Sequence, residues 1–151
     1  MNILGLDLGS KMGWCLLWSD GRVDFGEEDW LKLPRRERLM KFGEWLTDKL
    51  PLVDAVVFEE VQTSFGSGSW VIFRQEGILT FLCRAKPFFG VNPSTLKGFA
   101  VPGKKGTKAA MTEAAKKWLT EKGVDVPDLT DNEADAVCVV AWAVEHLRRE
   151  K

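Results

Sequence analysis

Carboxylates set inside apolar sequence are the residues most able to do chemistry in this chain of 151 residues. Asp7 interrupts ILGLDLGSKMGW, Glu59 and Glu60 interrupt VVFEEV, and Asp131, Glu133 and Asp135 crowd into TDNEADAV. A buried carboxylate is costly unless a cation or a set of donors compensates it. Carboxylates gathered at one place repel one another until a divalent cation neutralises them, and an oxygen-only ligand set selects a hard ion, Mg²⁺ or Mn²⁺. Two such ions about 3.5–4 Å apart activate water and stabilise the leaving oxygen in phosphodiester hydrolysis, with no nucleophilic side chain required. Each acid also has a plain structural reading: DLGS as a turn, FEEV as edge-strand charge, TDNE as a helix cap. Their combination in one chain favours the metal site.

Spacing sorts the acids. Strand alternation lets only one of Glu59 and Glu60 face a shared site. Thr130 followed three residues later by Glu133 matches a capping box, so Glu133 has a structural use at a helix start. Asp131 and Asp135, four apart, share one helix face. Asp135 therefore ranks first as a ligand, Asp131 second, and Glu133 as a substitute.

These positions need elements to carry them. Asn2 to Leu8 and Gly13 to Trp18 read as strands, and Asp20-Gly21 is a hairpin signal leading to a third strand, Arg22 to Phe25. Pro34 opens a helix whose Leu39, Phe42, Leu46 and Leu50 recur at spacings of three and four before Pro51 ends it. Asp54 to Val61 reads as a strand buried on both faces, Trp70 to Ala85 as an apolar helix and Phe88 to Asn92 as a short strand. PSTLKGFAVPGKKGTK reads as a Pro/Gly/Lys loop system with a turn of helix, and Ala109 to Lys122 and Asn132 to Arg149 as helices. The order βββαβαβ followed by helices predicts an α/β domain with a five-stranded mixed sheet flanked by helices, the ribonuclease H-like architecture. Nothing divides the chain into more than one domain.

Composition narrows the chemistry further. The net charge is −1, yet Lys97, Lys104, Lys105, Lys108, Lys116 and Lys117 face only Glu113 between positions 97 and 117. Such a bias suits a polyanion, although a solvated helix face has the same composition. Cys15, Cys83 and Cys138 are odd in number and scattered in apolar sequence, which suggests neither a disulfide framework nor a zinc knuckle and fits a reducing cytoplasm. His146, the single histidine, sits in a charged C-terminal helix, which argues against a His-based triad or a multi-His zinc site. No apolar run is long enough to span a bilayer, so no membrane partner is expected.

At this point the motifs resemble those of the RuvC family of Holliday junction resolvases, in particular the shorter forms carried by phages. ILGLDLGSKMGW resembles the family's opening GIDPGS strand, with Leu8 in place of its proline. VVFEEV is similar to its IEQV strand, which maps the second catalytic carboxylate onto Glu59, and NEADAV resembles its DAADAL helix, which maps the last onto Asp135. The family's fourth acid stands three residues before the last, where this chain has Asn132; Asp131 or Glu133 has to substitute. LKGFAVPGKKGTK resembles the family's basic loop, with Lys97 and Lys108 at its two functionally important lysines.

The resemblance implies a homodimer whose two sites nick symmetry-related strands of a four-way DNA junction, with two Mg²⁺ per site held by Asp7, Glu59, Asp131 and Asp135. Lys108 would assist the chemistry, and Lys97, Lys104, Lys105 and Lys108 would hold DNA. Phe65, in SFGSGS, is a candidate base-stacking wedge, and Trp70, Ile72, Phe73, Leu79 and Phe81 offer apolar surface, part of which would serve the dimer. Three other readings compete, one of which, a DNA-binding protein that has lost catalysis, the intact Asp7, Glu59 and Asp135 argue against. A sister nuclease of the same fold would act on flaps, forks or RNA, and DLGSKMGW also resembles the first phosphate loop of the actin and sugar-kinase type, which binds nucleotide between two domains.

Overall fold

A computed structural model of the chain describes residues 1–61, 69–126 and 128–149. Five strands, β1 (Ile3–Asp7), β2 (Lys11–Leu17), β3 (Val23–Asp29), β4 (Ala55–Glu59) and β5 (Phe88–Val91), form one sheet in the order β3-β2-β1-β4-β5. β1–β2 and β2–β3 pair antiparallel, β1–β4 and β4–β5 parallel. The helices are α1 (Arg35–Lys49), α2 (Ser69–Leu82), α3 (Pro93–Ala100), α4 (Lys108–Glu121) and α5 (Asp131–Arg149). This is the ribonuclease H-like arrangement that the element order predicts.

Alternation divides the core in two. Leu4, Leu6, Val56 and Phe58 point to one face, where Phe42 and Leu46 of α1 and Leu79 of α2 cover them. Ile3, Cys15, Leu17, Val57 and Val91 point to the other, beneath Leu96 of α3, Met111, Ala115 and Leu119 of α4, and the Ala/Val stripe of α5. Strands covered on both faces read as near-continuous apolar runs, which is why β1 and β4 are legible. β3, at the sheet edge, carries charge instead, as exposed edges do.

The pairing directions fix where a site can form. β1, β3, β4 and β5 all run the same way, so their C-terminal ends share one edge of the sheet, and α1, α2 and α3 begin there. α5 crosses the same face at close range, and two glycines allow it. A Cβ on Gly5 would lie 2.5 Å from Val140 Cγ2 and 2.9 Å from the Ala136 carbonyl, and one on Gly13 would overlap the Asn132 carbonyl.

Two elements differ from the sequence expectation. β3 continues to Asp29 because every one of its residues finds a partner on β2, and strand pairing overrides the low β-propensity of its acidic end. The predicted loop system opens with α3, a helix of eight residues, because Asn92 caps it by accepting from Ser94 N at 2.9 Å and Pro93 occupies its first position. The three cysteines are free and buried. Among the described residues no helix is long and apolar enough to cross a membrane.

Candidate active site

The last β1–β4 pair is Leu6 with Phe58, so Asp7 and Glu59 follow side by side on adjacent parallel strands. With Gly5 and Val57 they face α5, whose second turn brings in Asp135. One carboxylate oxygen from each of Asp7, Glu59 and Asp135 lies within 4.8 Å of the others, and all three residues are partly buried. The three acids that the sequence ranked first thus converge from 128 residues of chain separation into one centre.

Burial and mutual repulsion make this cluster reluctant to ionise fully. Asp7 has its pKa held well above the usual carboxylate value, by burial first and then by Asp135, Glu59 and Glu27. Burial, then Asp135, pushes Glu59 up to about 7, against a lowering by Lys97. Asp135 rises to about 6 through burial and Asp131, opposed by Lys97 and Lys108. Oxygen donors at this separation, destabilised by their own charge, match what a hard divalent cation requires of its ligands. The residues present therefore fit such an ion.

The other acids have separate uses. Glu60 turns away: its N–H donates to the Val91 carbonyl at 2.9 Å, and its side chain is exposed over Gly90. Glu133 closes the capping box, its carboxylate accepting from Thr130 N at 2.9 Å while Thr130 Oγ1 accepts from Glu133 N at 3.2 Å. Asp131 lies outside the close triad at the rim, exposed, 3.2 Å from Lys108 Nζ.

Lysines border the centre on the α3–α4 side. Lys97 projects from α3 close enough to act on both Glu59 and Asp135. Gly106 lets the following loop fold against its stem, since a Cβ there would sit 2.9 Å from Lys97 Cβ. Lys108 opens α4 behind the Thr107 cap. Lys104 and Lys105 stand exposed on the loop between. Phe65 lies outside the described residues. Of the apolar α2 residues, Leu79 is core and Ile72 packs against it, whereas Phe73 and Phe81 are exposed. The Trp70 ring is flanked by the Arg35 and Arg74 guanidiniums, at 4.9 and 5.0 Å. His146 stacks on Trp142 at the far part of α5, eleven residues beyond Asp135 and so about 16 Å along the axis.

Sequence reasoning missed the groups that hold this centre in place. Fully buried Gln75 donates from Nε2 to the Gly9 carbonyl at 2.8 Å, just past Asp7. Arg38 donates to Ser10 Oγ at 3.2 Å and to the Leu33 and Leu31 carbonyls at 2.8 and 2.7 Å. The Gln75–Gly9 and Arg38–Ser10 bonds have no local signature, because each joins distant segments, whereas the two carbonyl partners of Arg38 lie in the preceding loop. Glu27 was also missed. Its alternation with Val23 and Phe25 on β3 was the available signal, since it places the three on the Asp7 face.

No protein-family model matches the sequence, and no curated protein matches it significantly. Solved structures do. The chain is similar to RuvC of Thermus thermophilus, both in complex with a Holliday junction substrate (TM-score 0.76, 15% identity, covering 99% of this chain and 96% of that one) and in a second structure (TM-score 0.75, 17% identity, 99% and 97%). It is similar, more distantly, to the Fowlpox virus resolvase solved with Holliday junction DNA (TM-score 0.51, 16% identity, 95% and 99%). These likenesses extend along nearly the whole chain and show a RuvC-like fold.

Proposed function

We propose that this chain is a divalent-metal-dependent endonuclease that resolves four-way DNA junctions by paired symmetrical nicks, working as a homodimer. The observation that carries the reading is the convergence of Asp7, Glu59 and Asp135 at a sheet edge bordered by Lys97 and Lys108. The solved structures of similar fold in complex with junction DNA support the choice of substrate.

Asp7, Glu59 and Asp135 would hold the ions, Mg²⁺ or Mn²⁺, with Asp131 as an outer ligand on the same helix face as Asp135. Two bound ions would supply the activation of water and the charge neutralisation at the leaving oxygen that phosphodiester hydrolysis needs, and the products would carry 5′-phosphate and 3′-hydroxyl ends. Lys97 and Lys108 offset negative charge at the scissile phosphate. The Lys108–Asp131 pair is exposed, and such pairs exchange partners at little cost, so Lys108 is free to turn to phosphate. Lys104 and Lys105 extend the positive border along the strand, and Phe65 is the candidate for stacking on an opened base.

A twofold enzyme suits a twofold substrate. Phe73 and Phe81, with Leu39 and Ile78, line an apolar groove between α1 and α2 that supports the dimer reading.

The test is cleavage of an immobile four-way junction beside matched duplex, flap and RNA-containing substrates, with Mg²⁺ or with EDTA. Junction-selective, EDTA-sensitive nicking is expected. Selective cleavage of flaps or RNA would move the function to a sister nuclease, and thermal stabilisation by nucleotide without cleavage would favour the kinase-like reading.

A further inference from the structure

We propose that Glu27 is a positioning residue of the carboxylate centre, holding the first turn of α5 through Thr130 and Asn132 and setting its own charge beside the cluster, so that the centre binds a divalent ion more tightly. This rests on reading the centre as a metal site.

The register places Glu27 opposite Gly13 and Gly13 opposite Asp7, with Glu59 one strand further on. All four lie in one row on one face of the sheet. Gly13 has no side chain, and the space above it is taken by the Asn132 carbonyl at the start of α5. Asn132 therefore sits between Glu27 and Asp7. Its Nδ2 donates to Glu27 Oε2 at 2.8 Å, and Thr130 Oγ1 donates to the same oxygen at 3.0 Å. These bonds join positions more than a hundred residues apart and fix the turn that presents Asp135, one helical turn beyond Asn132.

Charge adds to the geometry. The chain has an amide at position 132, where the family resemblance expects a fourth acid, and that amide is bound by a carboxylate from the next strand but one. The negative charge missing from α5 is present on β3. Of the other acids in that first turn, Asp131 stands exposed at the rim, outside the close triad, and Glu133 is used in the cap. Glu27 also acts on Asp7 directly, disfavouring its ionisation in the metal-free protein. Glu27 acts through the turn of α5 and through its charge and not by a hydrogen bond to a ligand, so its effect is set at the lower end of the roughly 10–100-fold by which direct partners of metal ligands change metal affinity.

The experiment is calorimetric titration of Mn²⁺ into the wild type, Glu27→Gln, Asn132→Asp and the double variant, with melting temperatures in EDTA at pH 8. Glu27→Gln keeps an acceptor oxygen and should bind Mn²⁺ about tenfold more weakly, while its melting temperature in EDTA stays level or rises. A residue that merely supported the fold would lower both. Asn132→Asp alone sets two carboxylates against each other and should melt earlier. The double variant returns the charge to α5 opposite a neutral amide and should recover most of the lost Mn²⁺ affinity. Unchanged affinity in Glu27→Gln, or no recovery in the double variant, would overturn the proposal. A wild type that takes up no Mn²⁺ would overturn the metal reading itself, and the proposal with it.

Discussion

Glu59→Gln should stabilise the metal-free protein at pH 8 while destroying its response to Mg²⁺. In the fold the Glu59 carboxyl titrates at about 7 instead of its ordinary 4.5, because burial and Asp135 disfavour its charge. An acid with a raised folded pKa contributes stability that is complete below its unfolded pKa and is lost as pH climbs through the folded one. For Glu59 that window runs from about 4.5 to about 7. The difference corresponds to about 3 kcal/mol in a fully shielded setting, and to about 1–2 kcal/mol once solvent screening of this partly open group is included. Glutamine keeps the shape and removes the charge. For a domain of this size the melting temperature in EDTA at pH 8 should rise by about 3–6 °C. By pH 5 the difference should have shrunk to a small part of its pH 8 size, and below about 4.5, where the carboxyl is protonated in both states, the two proteins should melt together. Added Mg²⁺ should stabilise the wild type and leave Glu59→Gln nearly unmoved. Differential scanning calorimetry across pH reads each of these quantities. A Glu59→Gln protein less stable than wild type at pH 8 in EDTA, or a gain of equal size at pH 5, would refute the reasoning.

Three further outcomes follow from the same geometry. Lys97→Ala should cut junction DNA at least about tenfold more slowly under single-turnover conditions, because it removes the cation acting on both Glu59 and Asp135; a normal rate would place Lys97 outside the chemistry. Gly13→Ala should cost about 3 kcal/mol or more in denaturant unfolding, since its Cβ would overlap the Asn132 carbonyl of a packed helix; a neutral result would mean that α5 does not sit against β2 as described. On the proposed dimer, the wild type should sediment as two copies and Phe81→Glu, on the exposed face of α2, as one, with the melting temperature little changed; a monomeric wild type would overturn the dimer proposal, and a dimeric variant would place the interface elsewhere.

Much of this arrangement was legible in the sequence. β1 and β4 stand out as apolar runs because both their faces are covered, and an acid at the end of such a run asks for a partner. Asp7 could be named in that way, strand alternation narrowed the FEEV pair to one acid that the family resemblance identified as Glu59, Asp135 came from helix-face spacing, and the Thr130–Glu133 cap could be read from spacing alone. What stayed hidden depends on contacts between distant segments. Nothing near Glu27 announces a helix start more than a hundred residues later, and nothing near Gln75 announces the Gly9 carbonyl. Gly5 and Gly13 look like ordinary strand glycines until α5 is laid across them. The helical turn of PSTLKGFA was undersized for a related reason: proline, glycine and lysine suggest a loop, and the Asn92 cap that starts α3 is a local signal that composition outweighed.

The most direct test of the central claim uses a supercoiled plasmid that extrudes a cruciform, incubated with Mg²⁺ and the wild type or Asp7→Asn. Paired symmetrical nicking at the junction should convert the plasmid to a linear product with the wild type. Asp7→Asn should give no cleavage while still retarding a four-way junction on a native gel, at equal or higher affinity, because a negative charge facing phosphate has been removed. Linear product from Asp7→Asn at a near-normal rate would contradict the assignment of the carboxylate centre.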